Sequence, residues 1–302
     1  MVVVYGTGSI GSRHLRVLRR MGVPATAVSV RSGASFPERA DAAIIATATG
    51  RHVPDALAAI RAGCDVLVEK PVAPSAAGLA ELERAAHAAD RRVFVGCNLR
   101  FDATVLGFRA LLPRIGRVRD VHVECRSYLP DWRPGTDYVR SYSAQVDEGG
   151  VLRDLIHEID YAGWLFGWPD QVTARLGTTG TLGIAAEEWA DLTWDAGDAR
   201  VSIQLDYLAR PPRRFIRARG DGGTLVADLI AHQLMLGSEI IETPQERDAT
   251  MLDQTSAFLA AVAGGDPAQL ATLDEGGKAI AICDASRVSN GVPVTVRDWR
   301  IA

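Results

Sequence analysis

One lysine stands out in this sequence as a residue that could do chemistry. Lys70 and Lys278 are the only lysines among 33 basic residues, so arginine supplies almost all of the positive charge. Lys70 lies in VLVEKP (66–71), directly after an apolar run that is typical of a buried strand. An ammonium group there can exchange a proton with a ligand, which a guanidinium group cannot do. The alternative is a lysine that caps the strand and pairs with Glu69, while Pro71 ends the ladder.

A histidine and a carboxylate form the second candidate pair. Asp154 and His157 are three residues apart in VLRDLIHEIDYAGWLFG (151–167), which we predict to be one helix from its apolar periodicity. Residues at this spacing share a helix face, and a carboxylate beside a histidine suits acid–base chemistry near neutral pH. The alternatives are a core histidine with satisfied hydrogen bonds and a metal ligand. Because the sequence has no further Cys/His cluster, we predict no metal.

The chain begins with a glycine-rich turn between a predicted strand and a predicted helix. The β-branched run at residues 2–5 precedes GTGSIG, and apolar residues at helical spacing follow it. In this context Gly6 makes the tight turn, Gly8 lets the backbone approach a pyrophosphate, and Gly11 lets the helix pack on the strand. The pattern predicts dinucleotide binding, the alternative being a turn that is merely rich in glycine.

The choice of dinucleotide depends on the residues after the second predicted strand (Thr26 to Val30). Arg31 and Ser32 stand where an NAD-binding unit usually has an acidic residue, about 20 positions beyond the glycines. A guanidinium group attracts a 2′-phosphate. NADP(H) is therefore favoured as the cofactor, and NAD(H) remains possible because Arg31 could instead stack on adenine or face solvent.

Strands and helices alternate as far as residue 96. Further apolar strands are predicted at 42–46, 64–68 and 92–96, and helices lie between them. This alternation predicts a doubly wound parallel sheet in an α/β fold. From residue 171 to residue 228 the pattern changes to several strands separated by turn signals, which indicates antiparallel pairing in a second domain.

Composition limits the class of protein further. A chain of 302 residues has room for two domains, and its net charge of −4 offers no basic surface for nucleic acid. We expect no membrane span, because no run of about 18 apolar residues occurs, and no secretory signal. The four cysteines lack metal or disulfide spacing and are predicted to be reduced, which fits a cytoplasmic protein.

A long segment without periodicity, residues 128–150, is rich in aromatic, Arg and Asp residues. Loops of this length inside a compact domain are usually functional, and a disordered excursion would not carry three tyrosines and a tryptophan. A small-molecule substrate is the expected partner. The residues predicted to contact it are Arg100, Tyr128, Trp132, Arg133, Tyr138, Arg140 and His157.

Several motifs together resemble the Gfo/Idh/MocA (glucose-fructose oxidoreductase/inositol dehydrogenase) family, along nearly the whole chain. They are GTGSIG, TATGRHVPDAL, VLVEKP, GCNLRF, VLRDLIHEIDY and LDEGGKAIAICDASRVS. In this resemblance Lys70 matches the family's catalytic or proton-relaying lysine and His157 matches its histidine. Asp154 takes the place of its aspartate, although two residues instead of the usual three separate it from His157.

The resemblance implies an N-terminal Rossmann domain (1–118) and a C-terminal α/β domain (119–302) with an open, mostly antiparallel sheet for substrate binding and oligomerisation. It implies NAD(P)-dependent hydride transfer to or from a secondary alcohol or ketone of a sugar, cyclitol or sugar derivative. We expect a homo-oligomer, either a dimer or a tetramer. The residues then expected to bind the cofactor are Gly6, Gly8, Ser9, Ile10, Gly11, Arg31, Ser32, Thr47, His52, Glu69, Lys70, Asn98 and Arg100.

Two other functions remain open at this point. An enzyme of the same fold could reduce an imine or a carbonyl that is not part of a sugar. Alternatively, the protein could be a non-catalytic sensor that binds a dinucleotide without hydride transfer. The presence of Lys70, Asp154 and His157 together argues against the sensor.

Overall fold

A computed structural model describes residues 1–29 and 40–301. The chain forms two compact units. The first contains Met1–Phe101, Glu246–Ile280 and the residues from Asp298 onward, and the second contains Asp102–Gln245 and Ala281–Arg297. These units are discontinuous in sequence and so differ from the two continuous domains predicted with a boundary at residue 118.

The strands and helices of the described residues are numbered in chain order. The strands are β1 (Val2–Tyr5), β2 (Ala25–Val28), β3 (Ala42–Ile45), β4 (Asp65–Val68), β5 (Val93–Val95), β6 (Val118–Arg126), β7 (Gln171–Gly177), β8 (Trp189–Ala196), β9 (Ala199–Asp206), β10 (Arg213–Gly220), β11 (Gly223–Asp228), β12 (Gln233–Leu236), β13 (Glu239–Glu242), β14 (Ala271–Thr272) and β15 (Pro293–Thr295). The helices are α1 (Ser9–Arg20), α2 (His52–Arg61), α3 (Leu79–Ala88), α4 (Ala103–Leu111), α5 (Val151–Asp154), α6 (Ile156–Phe166), α7 (Ala249–Val262) and α8 (Leu273–Ser289).

The first unit is built on a parallel sheet in the order β5-β4-β3-β1-β2. Strands β1, β3 and β4 are buried along their whole length, as central strands covered on both faces should be. The neighbours of β1 on both sides come later in the chain, so the strand order reverses beside β1. Ligands bind at such a switch point, outside the carboxyl ends of the strands. The predicted Rossmann-type parallel sheet is confirmed.

The C-terminal segment joins the first unit through a strand and a helix. Strand β14 extends the parallel sheet by pairing antiparallel with β5. Phe258 of α7 packs edge-to-face on Phe94 of β5, with ring centroids 6.2 Å apart, and both rings belong to a core that includes Leu18 and Ile44. This burial of aromatic surface explains why residues distant in sequence complete the first unit.

The turn from β1 into α1 depends on two glycines. Gly6 has φ +113°, a conformation that strains residues with a side chain. A Cβ atom on Gly11 would overlap the carbonyl oxygen of Gly6, so only glycine lets α1 come this close to the end of β1. The predicted functions of these two glycines in the turn and in helix packing agree with this geometry.

The second unit is built on a sheet in the order β13-β12-β11-β10-β6-β9-β8-β7-β15. Neighbouring strands run antiparallel except β6 and β9, which are parallel. Alternate residues, among them Val121, Val123 and Ile203, are fully buried, and α6 packs on β6 and β9. The predicted open, mostly antiparallel sheet is confirmed. Its strands β12, β13 and β15, and β14 of the first unit, were not predicted from the sequence.

The prediction of one continuous helix over residues 151–167 is wrong in one respect. The helix breaks at Leu155, whose φ of −97° and ψ of +32° are not helical, so α5 ends at Asp154 and α6 begins at Ile156. Asp154 and His157 therefore belong to different helices. The inference that they share one helix face from their spacing does not hold.

Two further predictions concern cysteines and the membrane. Cys64, Cys97, Cys125 and Cys283 are all buried and free, as expected for reduced core residues. Within residues 1–29 and 40–301, every helix is too short or too polar to cross a membrane.

The contact at Gly11 predicts a specific loss of stability. Gly11→Ala should lower the free energy of unfolding by about 3 kcal/mol, because the added methyl group meets rigid backbone and cannot be relieved by a side-chain rotation. Gly8→Ala is the matched control, since a Cβ atom there meets nothing within 4 Å and its φ is −68°. Urea unfolding of the whole chain measures both, and equal losses would show that the close contact is not the cause.

Candidate functional site

The N-terminal end of α1 fits a dinucleotide pyrophosphate. Gly8 precedes the helix, no side chain caps its first turn, and that turn contains no acidic residue. The first N–H groups of any helix lack partners within the helix, and together with the helix dipole they attract phosphate. The space beside Gly8 is open, and Gly8 and Ser9 are exposed, so backbone there is available for that contact; contact at Ile10 and at the buried Gly11 stays a prediction.

The loop after β3 offers a second polar group at the same edge of the sheet. The hydroxyl oxygen of Thr47 is buried and has no hydrogen-bond partner among the described residues. It is therefore suited to a hydrogen bond with a polar group of a bound cofactor. The ring nitrogens Nδ1 and Nε2 of His52 lie 2.8 and 3.2 Å from the carbonyl oxygens of Pro71 and Thr47. Burial lowers the pKa of His52, although the Pro71 carbonyl and the charge of Glu69 oppose this. A neutral His52 ring has one N–H and therefore donates to only one of these two carbonyl oxygens.

The glutamate before Lys70 is anchored in the interior of the first unit. Glu69 is buried, its Oε1 lies 2.7 Å from Nε2 of His14, and its Oε2 accepts the backbone N–H of Lys70 at 3.3 Å. Burial alone raises the pKa of Glu69, but the hydrogen bond with His14 and the charge of Lys70 outweigh it, so the pKa lies below its ordinary value. Glu69 is therefore an anion that fixes the backbone at Lys70.

Lys70 itself lies at the carboxyl end of β4 and is partly buried. Its peptide bond to Pro71 is cis. Since β1, β3 and β4 are parallel, their carboxyl ends lie along one edge of the sheet. The glycine turn, Thr47 and Lys70 all follow these strands directly, so the structure brings them to the same edge.

Two other predicted cofactor residues follow β5 and have partners within the first unit. Asn98 Nδ2 donates to Thr250 Oγ1 at 2.8 Å. Arg100 is only 1% exposed, and its Nη1 donates to both carboxylate oxygens of Glu275 at 3.0 Å. These bonds hold the short 3-10 helix Asn98–Phe101 to α7 and α8. Contact of Arg100 with a ligand stays a prediction, and the geometry gives Arg100 a structural role.

The second unit holds Asp154 between two tyrosines. Asp154 is 3% exposed, its Oδ2 accepts the hydroxyl of Tyr207 at 2.7 Å, and its Oδ1 accepts the hydroxyl of Tyr142. His157 lies in the first turn of α6, just after the break at Leu155, and is buried. Asp154 is thus oriented by phenols from two other parts of the second unit.

Part of the segment 128–150 lies beside this carboxylate. The indole ring of Trp132 packs edge-to-face on Tyr207 at 5.4 Å between centroids, and its Nε1 donates to Ser127 Oγ at 2.9 Å. The guanidinium of Arg210 lies 4.0 Å from the ring centroid of Tyr128. Trp132 remains 38% exposed and can meet a ligand.

The other predicted substrate residues have different surroundings. The hydroxyl of Tyr138 donates to the carbonyl oxygen of Leu182 at 3.2 Å. Arg140 forms an ion pair with Asp137 at 3.3 Å on the surface, and Arg133 is also exposed. Arg31 and Ser32 lie outside the described residues. In the described ranges, no three His, Cys, Asp or Glu side chains are grouped as metal ligands would be.

Three residues that hold the carboxylates of the two units escaped sequence reasoning: His14 in the first unit, and Tyr142 and Tyr207 in the second. His14 stands three positions after Gly11, but nothing local links it to Glu69, which is 55 residues away. Tyr142 is in the aromatic segment that was predicted to be functional, so composition could have identified it. Tyr207 follows β9 and looks like an ordinary strand end in the sequence.

The fold and these residues define a class of protein: a dinucleotide-binding Rossmann unit joined to a unit with a mostly antiparallel sheet. Residues 29–97 match the oxidoreductase family with an NAD-binding Rossmann fold named Gfo/Idh/MocA, and residues 113–226 match a C-terminal domain of the same family. The two matches together cover more than half of the 302 residues. The chain belongs to the Gfo/Idh/MocA family.

Individual relatives are more distant. An inositol 2-dehydrogenase of Saccharopolyspora erythraea is 32% identical over 216 residues, which are 62% of this chain and 60% of that protein. The chain therefore matches less than two thirds of that relative's length. A levoglucosan dehydrogenase in complex with NADH and L-sorbose has TM-score 0.84 at 18% identity, covering 99% of both chains. GenD2 from gentamicin A biosynthesis, in complex with NAD, has TM-score 0.78 at 22% identity, covering 97% of this chain and 95% of its own.

The His14–Glu69 contact predicts a pH-dependent loss of stability. His14→Asn should lower the free energy of unfolding by about 3 kcal/mol at pH 7, because a buried carboxylate loses its partner. The pKa of Glu69 is depressed in the folded state, so this contribution is complete above its ordinary pKa of 4.5 and fades as the pH falls. The difference from wild type should therefore be smaller at pH 4.

Urea unfolding at pH 7 and pH 4 measures this loss. His87→Asn is the control, since His87 is exposed in α3 and its replacement should change little at either pH. A loss in His14→Asn that is the same at both pH values would mean that only packing, and not the hydrogen bond to the Glu69 carboxylate, has been removed.

Proposed function

We propose that this protein is an NAD(P)-dependent oxidoreductase that acts on a secondary alcohol, or the corresponding ketone, of a sugar, cyclitol or sugar derivative. The observation that carries the proposal is the carboxyl edge of the first-unit sheet. A turn suited to pyrophosphate follows β1, and the rare lysine follows β4 on the same edge. Family membership and the match to an inositol 2-dehydrogenase support the substrate class.

The proposed chemistry assigns a proton to Lys70. A bound nicotinamide accepts or supplies the hydride at its C4 carbon. Oxidation of an alcohol also releases the hydroxyl proton, which Lys70 takes as general base and returns in the reverse direction. Glu69 holds the backbone N–H of Lys70 at 3.3 Å and thereby limits the positions that the ammonium group can reach.

His157 and Asp154 are the proposed acid–base residues of the second unit. An imidazole exchanges protons near neutral pH, and a carboxylate in the same unit can orient it or polarise a hydroxyl group. Trp132 is favoured for substrate contact, because it is partly exposed and packs on Tyr207, which bonds Asp154. Aromatic rings offer apolar faces that suit the C–H faces of sugars and cyclitols.

We further propose NADP(H) as the preferred cofactor, a homo-oligomeric state and a cytoplasmic location. The cofactor proposal rests on Arg31 and Ser32, which replace the acidic residue typical of NAD-binding units. The assembly is proposed from the family resemblance, and sedimentation velocity would measure it. The location is proposed from the reduced cysteines.

Replacement of Lys70 tests the proton-transfer role. Lys70→Ala should lower kcat by at least about 100-fold and leave cofactor affinity nearly unchanged, because the phosphate turn is intact. Lys70→Arg should fail as well, since a guanidinium keeps the charge but cannot exchange the proton. Lys278→Ala is the control, because this other lysine pairs on the surface with Asp274 at 2.7 Å.

Steady-state kinetics on a panel of sugars and cyclitols, with a cofactor-binding assay, decides between the outcomes. A Lys70→Arg variant with near-normal kcat would limit Lys70 to an electrostatic role. Cofactor binding without turnover of any sugar or cyclitol would contradict the proposed substrate class and direct the search to imines and other carbonyl compounds.

Replacement of Arg31 tests the cofactor preference. A charge-assisted contact to the 2′-phosphate contributes about 1.5 to 3 kcal/mol, so wild type should bind NADPH about 10- to 100-fold more tightly than NADH. Arg31→Asp should reverse this preference by repelling the phosphate and accepting hydrogen bonds from the ribose hydroxyls. Kd values for both reduced cofactors measure it, and wild-type binding of NADH as tight as that of NADPH would rule out this role of Arg31.

A further inference from the structure

Asp154 accepts hydrogen bonds from two phenols that come from separate parts of the second unit. Tyr142 opens a short 3-10 helix, Tyr142–Ala144, in the segment 128–150. Tyr207 directly follows β9 and is fully buried, with its hydroxyl 2.7 Å from Oδ2 of Asp154. The hydroxyl of Tyr142 donates to Oδ1. Each carboxylate oxygen therefore has its own phenol donor.

Both phenols remain protonated. Burial raises the pKa of Tyr142 and of Tyr207, and the charge of Asp154 raises both further. Of the other charged groups that act on them, Arg133 lowers the pKa of Tyr142 without outweighing burial, and Glu187 raises the pKa of Tyr207 further. Protonated phenols act as donors here, so Asp154 is the acceptor of both bonds.

We propose that Tyr142 and Tyr207 are positioning residues that fix the orientation of the Asp154 carboxylate for the reaction. A carboxylate with one donor can still rotate about its side-chain bonds, whereas a donor on each oxygen defines the plane of the group. Misplacement of a reacting group by about 1 Å can lower the rate about 100-fold, so a donor on each carboxylate oxygen has a kinetic consequence.

The same bonds attach the segment 128–150 to Asp154. Tyr142 bonds the carboxylate directly, and Trp132, ten residues earlier in the segment, packs on the ring of Tyr207. The same contacts therefore fix the position of this segment within the second unit and the orientation of Asp154. The segment thus positions a buried carboxylate in addition to presenting side chains to a ligand.

This inference rests on the proposed function for its kinetic part, and the test has a second readout that does not. The variants are Tyr142→Phe, Tyr207→Phe and the double variant, each of which removes a hydroxyl and keeps the ring. Tyr161→Phe is the matched control, because it removes another buried phenol that donates to a carboxylate, Glu158 Oε1 at 3.1 Å. Asp154→Asn shows what loss of the carboxylate itself does.

The kinetic readout separates positioning from stability. Tyr207→Phe and Tyr161→Phe should lower Tm by similar amounts, since each loses one buried hydrogen bond. Only the Tyr142 and Tyr207 variants should lower kcat, by about tenfold each, with the sugar KM changed by less than about twofold. A double variant with wild-type kcat would overturn the proposal.

The second readout is the carbon-13 chemical shift of the Asp154 carboxyl group, compared at one pH in wild type and in the double variant. The signal is assigned as the one that Asp154→Asn lacks. It should move in the double variant, because each carboxylate oxygen loses a hydrogen-bond donor, and stay unmoved in Tyr161→Phe. An unchanged chemical shift would overturn the positioning role whether or not any sugar is turned over. Wild-type kcat in Asp154→Asn, with kcat lost in Lys70→Ala, would also overturn it and leave the proposed reaction and the role of Lys70 standing.

Discussion

The close approach of α1 to the end of β1 is the contact on which the rest of the first unit's site depends. A side chain on Gly11 would collide with the carbonyl oxygen of Gly6, so the helix can take this position only with glycine there. With α1 in this position, its first N–H groups stand open beside Gly8. One turn later in the helix, His14 comes within 2.7 Å of Glu69. A single backbone contact thus positions both the phosphate turn and the residue that precedes Lys70.

In each unit, a buried carboxylate is close in sequence to a proposed proton-transfer residue. Glu69 is beside Lys70, and Asp154 is near His157. A buried carboxylate is costly unless donors satisfy it, and a partner that is lost leaves an uncompensated charge. The donors are therefore rigid parts of the fold, a helix for Glu69 and two phenols for Asp154. Because each buried carboxylate needs hydrogen-bond donors and those donors are rigid, the position of the carboxylate is fixed.

Gly96 shows how closely the interior is adapted to one of these carboxylates. A Cβ atom at this position, after β5, would lie 3.2 Å from the carboxyl group of Glu69. Strand β5 also carries Phe94, on which Phe258 of the C-terminal segment packs. Direct packing thus links three features: the anchored Glu69, the end of β5 and the C-terminal segment of the first unit. A change in one of them will shift the others.

The sequence by itself determined the fold class, the glycine turn, the place of Lys70 and the family, because strand and helix periodicity and short motifs are local properties of the chain. Tertiary structure alone decided which groups hold the carboxylates. His14 and Tyr207 are 55 and 53 residues from their partners, and no local pattern encodes such pairs. Tertiary structure also decides that the helix is interrupted at Leu155, so Asp154 and His157 lie in different helices although their spacing is helical. Long-range packing and the satisfaction of buried charge outweigh local preference at these positions, and only the folded chain shows the result.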